Sequence, residues 1–116
     1  MDELVWYENP GWTRHVLARG LKRMINCAVV GDEVIVAHEF NNEASKSIGI
    51  VSVIAKDGGV REIDRLPTSH RLRVATLDGK TIVVNAPLTG AAAAGPDYKD
   101  QAPLVFYRPG VWKRET

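Results

Sequence analysis

The stretch KRMINCAVVGDEVIV, residues 22–36, lies over HRLRVATLDGKTIVV, residues 70–84, without a gap at an offset of 48. In each copy an apolar run enters a turn, Gly31-Asp32 or Asp78-Gly79, and leaves as a second apolar run. Short Val- and Ile-rich runs separated by a two-residue glycine turn are typical of β-hairpins. We call these two segments the inner hairpins.

A second unit occurs three times, in residues 4–17, 50–63 and 104–114. Each copy consists of an apolar strand, a turn that contains glycine, and another strand. We call these the outer hairpins. Their order along the chain is outer, inner, outer, inner, outer, which makes about ten strands, and repeats of this length with four strands each are typical of propeller blades.

The repeats predict an all-β, propeller-like fold of antiparallel four-stranded sheets, with about two and a half blades per chain. Residues 1–116 form a single β-repeat domain with an outer hairpin at 4–17, one blade at 22–63 and another at 70–114. The only helical candidate is Ala91 to Ala94, which glycines confine to one turn at most. Two and a half blades cannot close a ring, since propellers need ~4–8.

The apolar residues of the predicted strands form the expected core. Aromatic side chains that recur at equivalent hairpin positions normally pack between blades, and we expect the same here of Trp6, Tyr7, Trp12, Phe106, Tyr107 and Trp112. The alternative is that they form a platform on which a sugar stacks. The residues predicted to be largely buried are Ile25, Cys27, Val34, Ile35, Val36, Ile50, Val53, Val74, Leu77, Ile82, Val83 and Val84.

Composition excludes several classes of protein. Fifteen Lys and Arg residues against 14 Asp and Glu residues leave a net charge of +1, which provides no long-range field to attract nucleic acid or an anionic membrane. One cysteine, Cys27, cannot form an intrachain disulfide. The first residues lack a basic segment followed by an apolar one, so we expect a soluble, cytoplasmic chain.

The segment VWYENPGWTRHV, residues 5–16, resembles the outer hairpin of FG-GAP/VCBS-type seven-bladed β-propellers. Residues 69–80, SHRLRVATLDGK, look like the inner hairpin of that family. Within the family, the chain is most similar to the propeller domain of sugar lyases of the aldos-2-ulose dehydratase type. The resemblance implies a propeller fold and, for the narrower match, carbohydrate chemistry.

One feature departs from that family. Many FG-GAP repeats carry an Asp-x-Asp-x-Asp-Gly loop, whose clustered carboxylates bind calcium. Here residues 75–80 keep only Asp78, and Asp32 and Glu33 follow Gly31 rather than precede it. No Cys/His spacing resembles a zinc site either. We therefore expect no metal and no cofactor.

Basic residues at the entry to the inner hairpins are the first candidates for a binding site. His70, Arg71 and Arg73 begin the second inner hairpin, and Lys22 and Arg23 occupy the matching places in the first. Because the resemblance places the innermost strands at a central channel, these side chains are candidates for contact with a small anion or carbohydrate. The alternative is that they are solvated strand-edge cations.

The end of the first inner hairpin and one long loop supply the remaining candidates. His38 and Glu39 follow an apolar strand, either as part of a pocket or as ordinary surface polarity. In the loop of residues 90–100, the plausible contributors to a site are Asp97, Tyr98, Lys99 and Asp100. No nucleophile elbow and no phosphate-binding loop is present in the sequence.

Two functions fit these observations. The first is a non-catalytic β module for ligand binding or assembly, and the second is a carbohydrate lyase or isomerase, or a fragment of one, with a composite site at the propeller axis. An unpaired outer hairpin leaves a free sheet edge and an apolar face, which favours self-association into a dimer or a larger ring. His70 and Arg71 of each subunit would then point toward the shared axis.

Overall fold

The computed structural model describes residues 2–93 and 100–116. Part of the predicted loop, including Ala94, Asp97, Tyr98 and Lys99, lies outside these ranges. The described chain contains nine strands: β1 (Glu3–Glu8), β2 (Thr13–Arg19), β3 (Asn26–Val30), β4 (Glu33–His38), β5 (Ile50–Ile54), β6 (Val60–Arg65), β7 (Arg71–Leu77), β8 (Lys80–Ala86) and β9 (Val105–Tyr107). A single 3₁₀ turn, Ala44–Lys46, is the only helical element among the described residues.

The strands form three antiparallel sheets in chain order. The first sheet is the β1–β2 hairpin, the second contains β3, β4, β5 and β6, and the third contains β7, β8 and β9. An antiparallel bridge between Phe106 and Glu115 adds a fourth position to the third sheet. The all-β, antiparallel prediction is confirmed, while a closed propeller is not formed by the described residues.

The second sheet lies between the other two. One of its faces packs on the third sheet through a cluster that includes Ile35, Val51 and Leu72. Its opposite face carries Val36 and Ile54, which pack with residues of the first hairpin and the segment after it: Leu4, Leu17, Ala18 and Leu21. Alternation along β4 explains this arrangement, since neighbouring residues of a strand point to opposite faces.

The structure corrects the predicted offset between the inner hairpins by one residue. The first turn is flanked by Val30 and Glu33, and the second by Leu77 and Lys80, so equivalent residues are 47 positions apart rather than 48. Only the first turn residue has a positive φ in the first copy, at Gly31, whereas both do in the second. A one-residue slip matters because it assigns every side chain to the wrong face.

The same correction applies to the middle outer hairpin. His38 pairs with Ile50, and its equivalent Asn85 pairs with Val105. Ile50 therefore corresponds to Val105, not to Leu104. The first and third outer hairpins, by contrast, match at an offset of 100, because Trp6 pairs with His15 and Phe106 with Glu115.

The core prediction is correct for about half of its residues. Ile35, Val36, Val53, Ile82 and Val83 are buried, and Val34, Ile50 and Val84 are half-buried. Ile25, Cys27, Val74 and Leu77 are exposed, so their predicted burial is wrong.

Sheet position explains these errors. Ile25 is equivalent to Leu72, which the second sheet covers completely, but the first sheet has only two strands and leaves Ile25 38% exposed. Val74 and Leu77 lie on β7, which is an edge strand in the described chain. A cleft of about 380 Å³ between Leu4, Met24, Ile25, Cys27 and Val36 marks the uncovered region.

Truncation of a core side chain should destabilise the protein strongly. Val83 and Ile35 are 0% and 1% exposed on either side of the interface between the second and third sheets. We expect Val83→Ala or Ile35→Ala to lower the free energy of unfolding by about 1–4 kcal/mol, through lost transfer energy and a residual cavity. Urea denaturation measures this change, and equal stability of Val83→Ala and Val74→Ala would contradict the assigned register.

Candidate functional site

The predicted basic residues partly converge at one end of the inner hairpins. The ring of His70 contacts that of Phe40 edge-on, with 5.4 Å between centroids. The backbone oxygens of Lys22 and Arg23 accept hydrogen bonds from the N–H groups of Glu39 and Phe40. Lys22, Arg23, Glu39 and His70 therefore lie around one end of the second sheet.

Arg71 and Arg73 are exposed on β7. The Arg73 guanidinium donates to the backbone oxygen of Leu72 at 2.8 Å, and its Nη1 lies 3.5 Å from Oδ1 of Asn26. These contacts hold Arg73 against its own strand and the neighbouring β3. The structure thus gives Arg73 intramolecular partners rather than a shared position with His70.

His38 is buried instead of lying on the surface. Its Nε2 is 2.8 Å from Oγ of Ser52, and its side chain is 8% exposed. Burial lowers the pKa of His38, and nearby Glu39 opposes that shift only in part. His38 is therefore buried and neutral at pH 7, and the half-buried Glu39 carboxylate lies 3.9 Å from its Nδ1.

The described residues do not form a recognisable metal site. Within residues 2–93 and 100–116, no three His, Cys, Asp or Glu side chains are grouped so that they could hold a metal ion. Among the same residues, no helix is long and apolar enough to cross a membrane.

A second candidate site emerges from the contact between the second and third sheets. Asp64, on β6, accepts a hydrogen bond from the Tyr107 hydroxyl at 2.7 Å. Arg114 donates to both carboxylate oxygens of Asp64, at 2.6 and 2.9 Å. We call the contact of Tyr107 and Arg114 with Asp64 the clamp. Trp112 packs beside the clamp in the core cluster and is only 4% exposed.

The clamp is electrostatically well satisfied. Burial alone would raise the pKa of Asp64, but the hydrogen bonds from Arg114 and Tyr107 outweigh it, and the pKa is lowered. Burial, with the nearby Asp64 carboxylate, raises the pKa of Tyr107, although a hydrogen bond from Asn85 opposes this. Tyr107 therefore remains a protonated donor to an ionised carboxylate.

The β1–β2 hairpin repeats the outer hairpin that carries Tyr107, Trp112 and Arg114. At the offset of 100, the corresponding residues are Tyr7, Trp12 and Arg14. Both turns close with a hydrogen bond from the tryptophan N–H to the oxygen four residues earlier, at 2.6 Å for Trp12 and 2.9 Å for Trp112. The two tryptophans have φ values of 58° and 55°.

The side chains on the opposite face of the two hairpins also correspond. In the first, His15 lies 2.9 Å from Glu8, and in the third, Arg108 lies 3.0 Å from Glu115. These are the same two positions with the acidic residue moved from one to the other, since Glu8 matches Arg108 and His15 matches Glu115. His15 also stacks on Trp6, with ring centroids 4.3 Å apart.

The two hairpins differ in what covers them. Tyr107 and Trp112 are 0% and 4% exposed, because the second sheet covers them. Tyr7 and Trp12 are 51% and 66% exposed. The expectation that Tyr7 and Trp12 pack between blades is wrong for the described chain, because no described sheet lies on that side of the hairpin.

We call the surface formed by Tyr7, Trp12 and Arg14 the hairpin face. Arg14 pairs with Glu3 at 2.7 Å, and Glu3 also pairs with Arg19. The Arg14 side chain is nonetheless 52% exposed. An exposed tyrosine, tryptophan and arginine on one rigid hairpin are the residue types that dominate protein–protein interfaces.

The sequence comparisons give no family assignment. No family model, no curated protein and no solved structure matches the chain. The resemblance to FG-GAP/VCBS propellers therefore stays a prediction. The repeats within the chain itself are the available basis for interpreting the hairpin face.

Proposed function

We propose that this chain is a propeller-type β module that acts by self-assembly, with the hairpin face docked on a β-sheet of a second copy. The observation that carries the proposal is the exposure of Tyr7 and Trp12 at positions equivalent to buried Tyr107 and Trp112. The equivalent face of the third sheet, with Tyr107 and Trp112, packs on the face of an antiparallel sheet, and we expect the hairpin face to bind the same kind of surface.

The aromatic side chains of the hairpin face favour binding of a second copy. Large aromatic side chains provide most of the favourable free energy of interfaces, and an exposed cluster of them commonly marks a binding site. The backbone of Trp12 is held in a closed turn of the hairpin, so little backbone entropy remains to be lost when its side chain is covered.

Replacement of Trp12 tests the proposal. We expect Trp12→Ser to remove concentration-dependent assembly, because it deletes the largest apolar group of the hairpin face. Light scattering over a range of micromolar concentrations measures the mass. For the unmodified chain the mass should rise above 12.8 kDa with concentration, and for the variant it should remain at 12.8 kDa.

Trp6→Ser is the matched control. Trp6 is 48% exposed on the same strand as Tyr7 but points to the opposite face, where it stacks on His15. This variant should assemble as the unmodified chain does. Equal loss of assembly in both variants would show that general hydrophobicity, not the hairpin face, is responsible.

The alternative function is a carbohydrate- or anion-binding site of a lyase or isomerase type. Its support is the group Lys22, Arg23 and His70 near the exposed end of the second sheet, with the aromatic ring of Phe40 beside it. A thermal-shift screen with sugars and small anions tests this function. Stabilisation that His70→Ala abolishes would favour it over assembly alone.

A further inference from the structure

We propose that the surface which the hairpin face binds is the outward face of the third sheet of a second copy, with Glu115 in the role of Asp64. This inference rests on the proposed self-assembly and names the partner surface. It follows from three equivalences: strand register, the apolar residues of the face, and the position of one carboxylate.

Register places Glu115 where the second sheet has Asp64. In the second sheet, Ala37 pairs with Val51, and Val51 pairs with Asp64. In the third, Val84 pairs with Phe106, and Phe106 pairs with Glu115. Two backbone hydrogen bonds between Phe106 and Glu115, at 2.8 and 2.9 Å, fix this position.

The apolar residues around the two carboxylates also correspond. On the second sheet, the face that receives Tyr107 and Trp112 includes Ala28, Val30, Ile35, Ala37, Val51 and Val53. The equivalent positions on the outward face of the third sheet are Ala75, Leu77, Ile82, Val84, Phe106 and Arg108. Five of these six positions remain apolar, and at the sixth the Arg108 guanidinium lies over the Phe106 ring, 5.5 Å from its centroid. The third sheet therefore presents a largely apolar surface similar to the one that the chain already uses.

Charge complements this apolar match. The Glu115 side chain is 38% exposed and pairs with Arg108 through Oε2. Within the described ranges, no residue donates a hydrogen bond to its Oε1. A second copy that docks as the third sheet docks on the second would bring Tyr7 and Arg14 to Glu115, as Tyr107 and Arg114 are brought to Asp64.

The two complementary surfaces are on different sheets of one chain. The donors, Tyr7 and Arg14, are on the first sheet, and the acceptor, Glu115, is on the third. The contact is therefore heterologous: each copy uses one surface to bind and offers the other, which generates head-to-tail rings or open chains of copies. A symmetric contact between two hairpin faces would leave Glu115 without a role.

Charge reversal at Glu115 tests the inference. We expect Glu115→Arg to be monomeric, because it faces the Arg14 guanidinium with a second cation. Glu115→Gln keeps the shape and removes the charge, and it should raise the dissociation constant on the order of 30-fold. Glu43→Arg makes the same charge change at an exposed site beside the 3₁₀ turn and should assemble normally.

Mixing two deficient variants distinguishes the geometries. Glu115→Arg retains an intact hairpin face, and Trp12→Ser retains an intact third sheet. Head-to-tail contact predicts that each is monomeric alone and that the equimolar mixture forms a species of twice 12.8 kDa and nothing larger. Sedimentation velocity measures both masses, and circular dichroism melts verify that each variant is folded.

The outcomes separate this inference from the proposed function. If Glu115→Arg and Glu115→Gln assemble as the unmodified chain does while Trp12→Ser remains monomeric, the assignment of the third sheet is overturned and self-assembly stands. A mixture that stays monomeric also overturns it. If the unmodified chain is itself monomeric at every concentration, the proposed function fails, and the partner surface fails with it.

Discussion

Trp112→Ala is expected to lower the free energy of unfolding by about 3–5 kcal/mol, the usual cost of truncating a large aromatic side chain in a core. Trp112 is 4% exposed and packs between the second and third sheets. Its loss leaves a large cavity at the only interface that joins the third sheet to the rest of the described chain. Urea denaturation at low protein concentration provides the measurement.

Trp12→Ala is the control for this experiment. Both tryptophans follow the same closed turn and have positive φ values within a few degrees of each other, so the backbone cost of alanine is the same at both sites. In the monomer, Trp12→Ala should change stability only slightly, because its side chain is 66% exposed. Comparable losses in the two variants would refute the contrast between a covered and an open hairpin.

Asp64→Ala should cost about 2–4 kcal/mol. The substitution removes the carboxylate that accepts hydrogen bonds from Tyr107 and Arg114, and it leaves the fully buried Tyr107 hydroxyl without that acceptor. Chemical denaturation at neutral pH measures the loss. Glu62→Ala, on the same strand, removes only an exposed pair with Arg65 and should have little effect.

The same variant has a predictable dependence on pH. The pKa of Asp64 is lowered in the folded protein, so the unfolded chain takes up the proton first as pH falls. Its contribution is complete above an unfolded-state pKa of about 4 and is lost as pH falls through the lower folded value. The difference in stability between the unmodified chain and Asp64→Ala should therefore shrink below about pH 4. A constant difference would contradict the assigned ion pair.

Sequence repeats predict the strand content and the antiparallel hairpins, since short apolar runs bounded by glycine turns have few alternatives. The register is a different matter. Gly31 opens its turn and Gly79 closes its own, so an alignment that superimposes the glycines shifts the hairpins by one residue. Turn geometry, which the letters do not show, decides the correct offset.

Burial could be predicted only where sheet neighbours were known. Val83 and Ile35 lie between two sheets, whereas Ile25, the equivalent of Leu72, lies beside a first sheet that has only two strands in the described chain and is 38% exposed. His38 follows an apolar strand as predicted, yet its pairing with Ile50 carries it into the covered part of the sheet. Tertiary position rather than local pattern determined these outcomes.

The hairpin face was partly visible in the sequence. Tyr7, Trp12 and Arg14 share their spacing with Tyr107, Trp112 and Arg114, and that alignment at an offset of 100 was correct. The spacing does not show which carboxylate each set of aromatic and arginine side chains contacts. Asp64 and Glu115 become equivalent only through strand pairing, because the two hairpins differ in length: Asp64 follows its partner Val51 by 13 residues, and Glu115 follows its partner Phe106 by nine.

The central claim is that a second copy covers the hairpin face, as the second sheet covers Tyr107 and Trp112. Trp12 itself provides the test. In a Trp6→Phe variant, Trp12 is the exposed tryptophan and Trp112 is already buried. Acrylamide quenching of tryptophan fluorescence should decrease as protein concentration rises from the low micromolar range to several hundred micromolar, with a blue shift of the emission. Quenching of Trp12 that stays unchanged over this whole range would contradict the account.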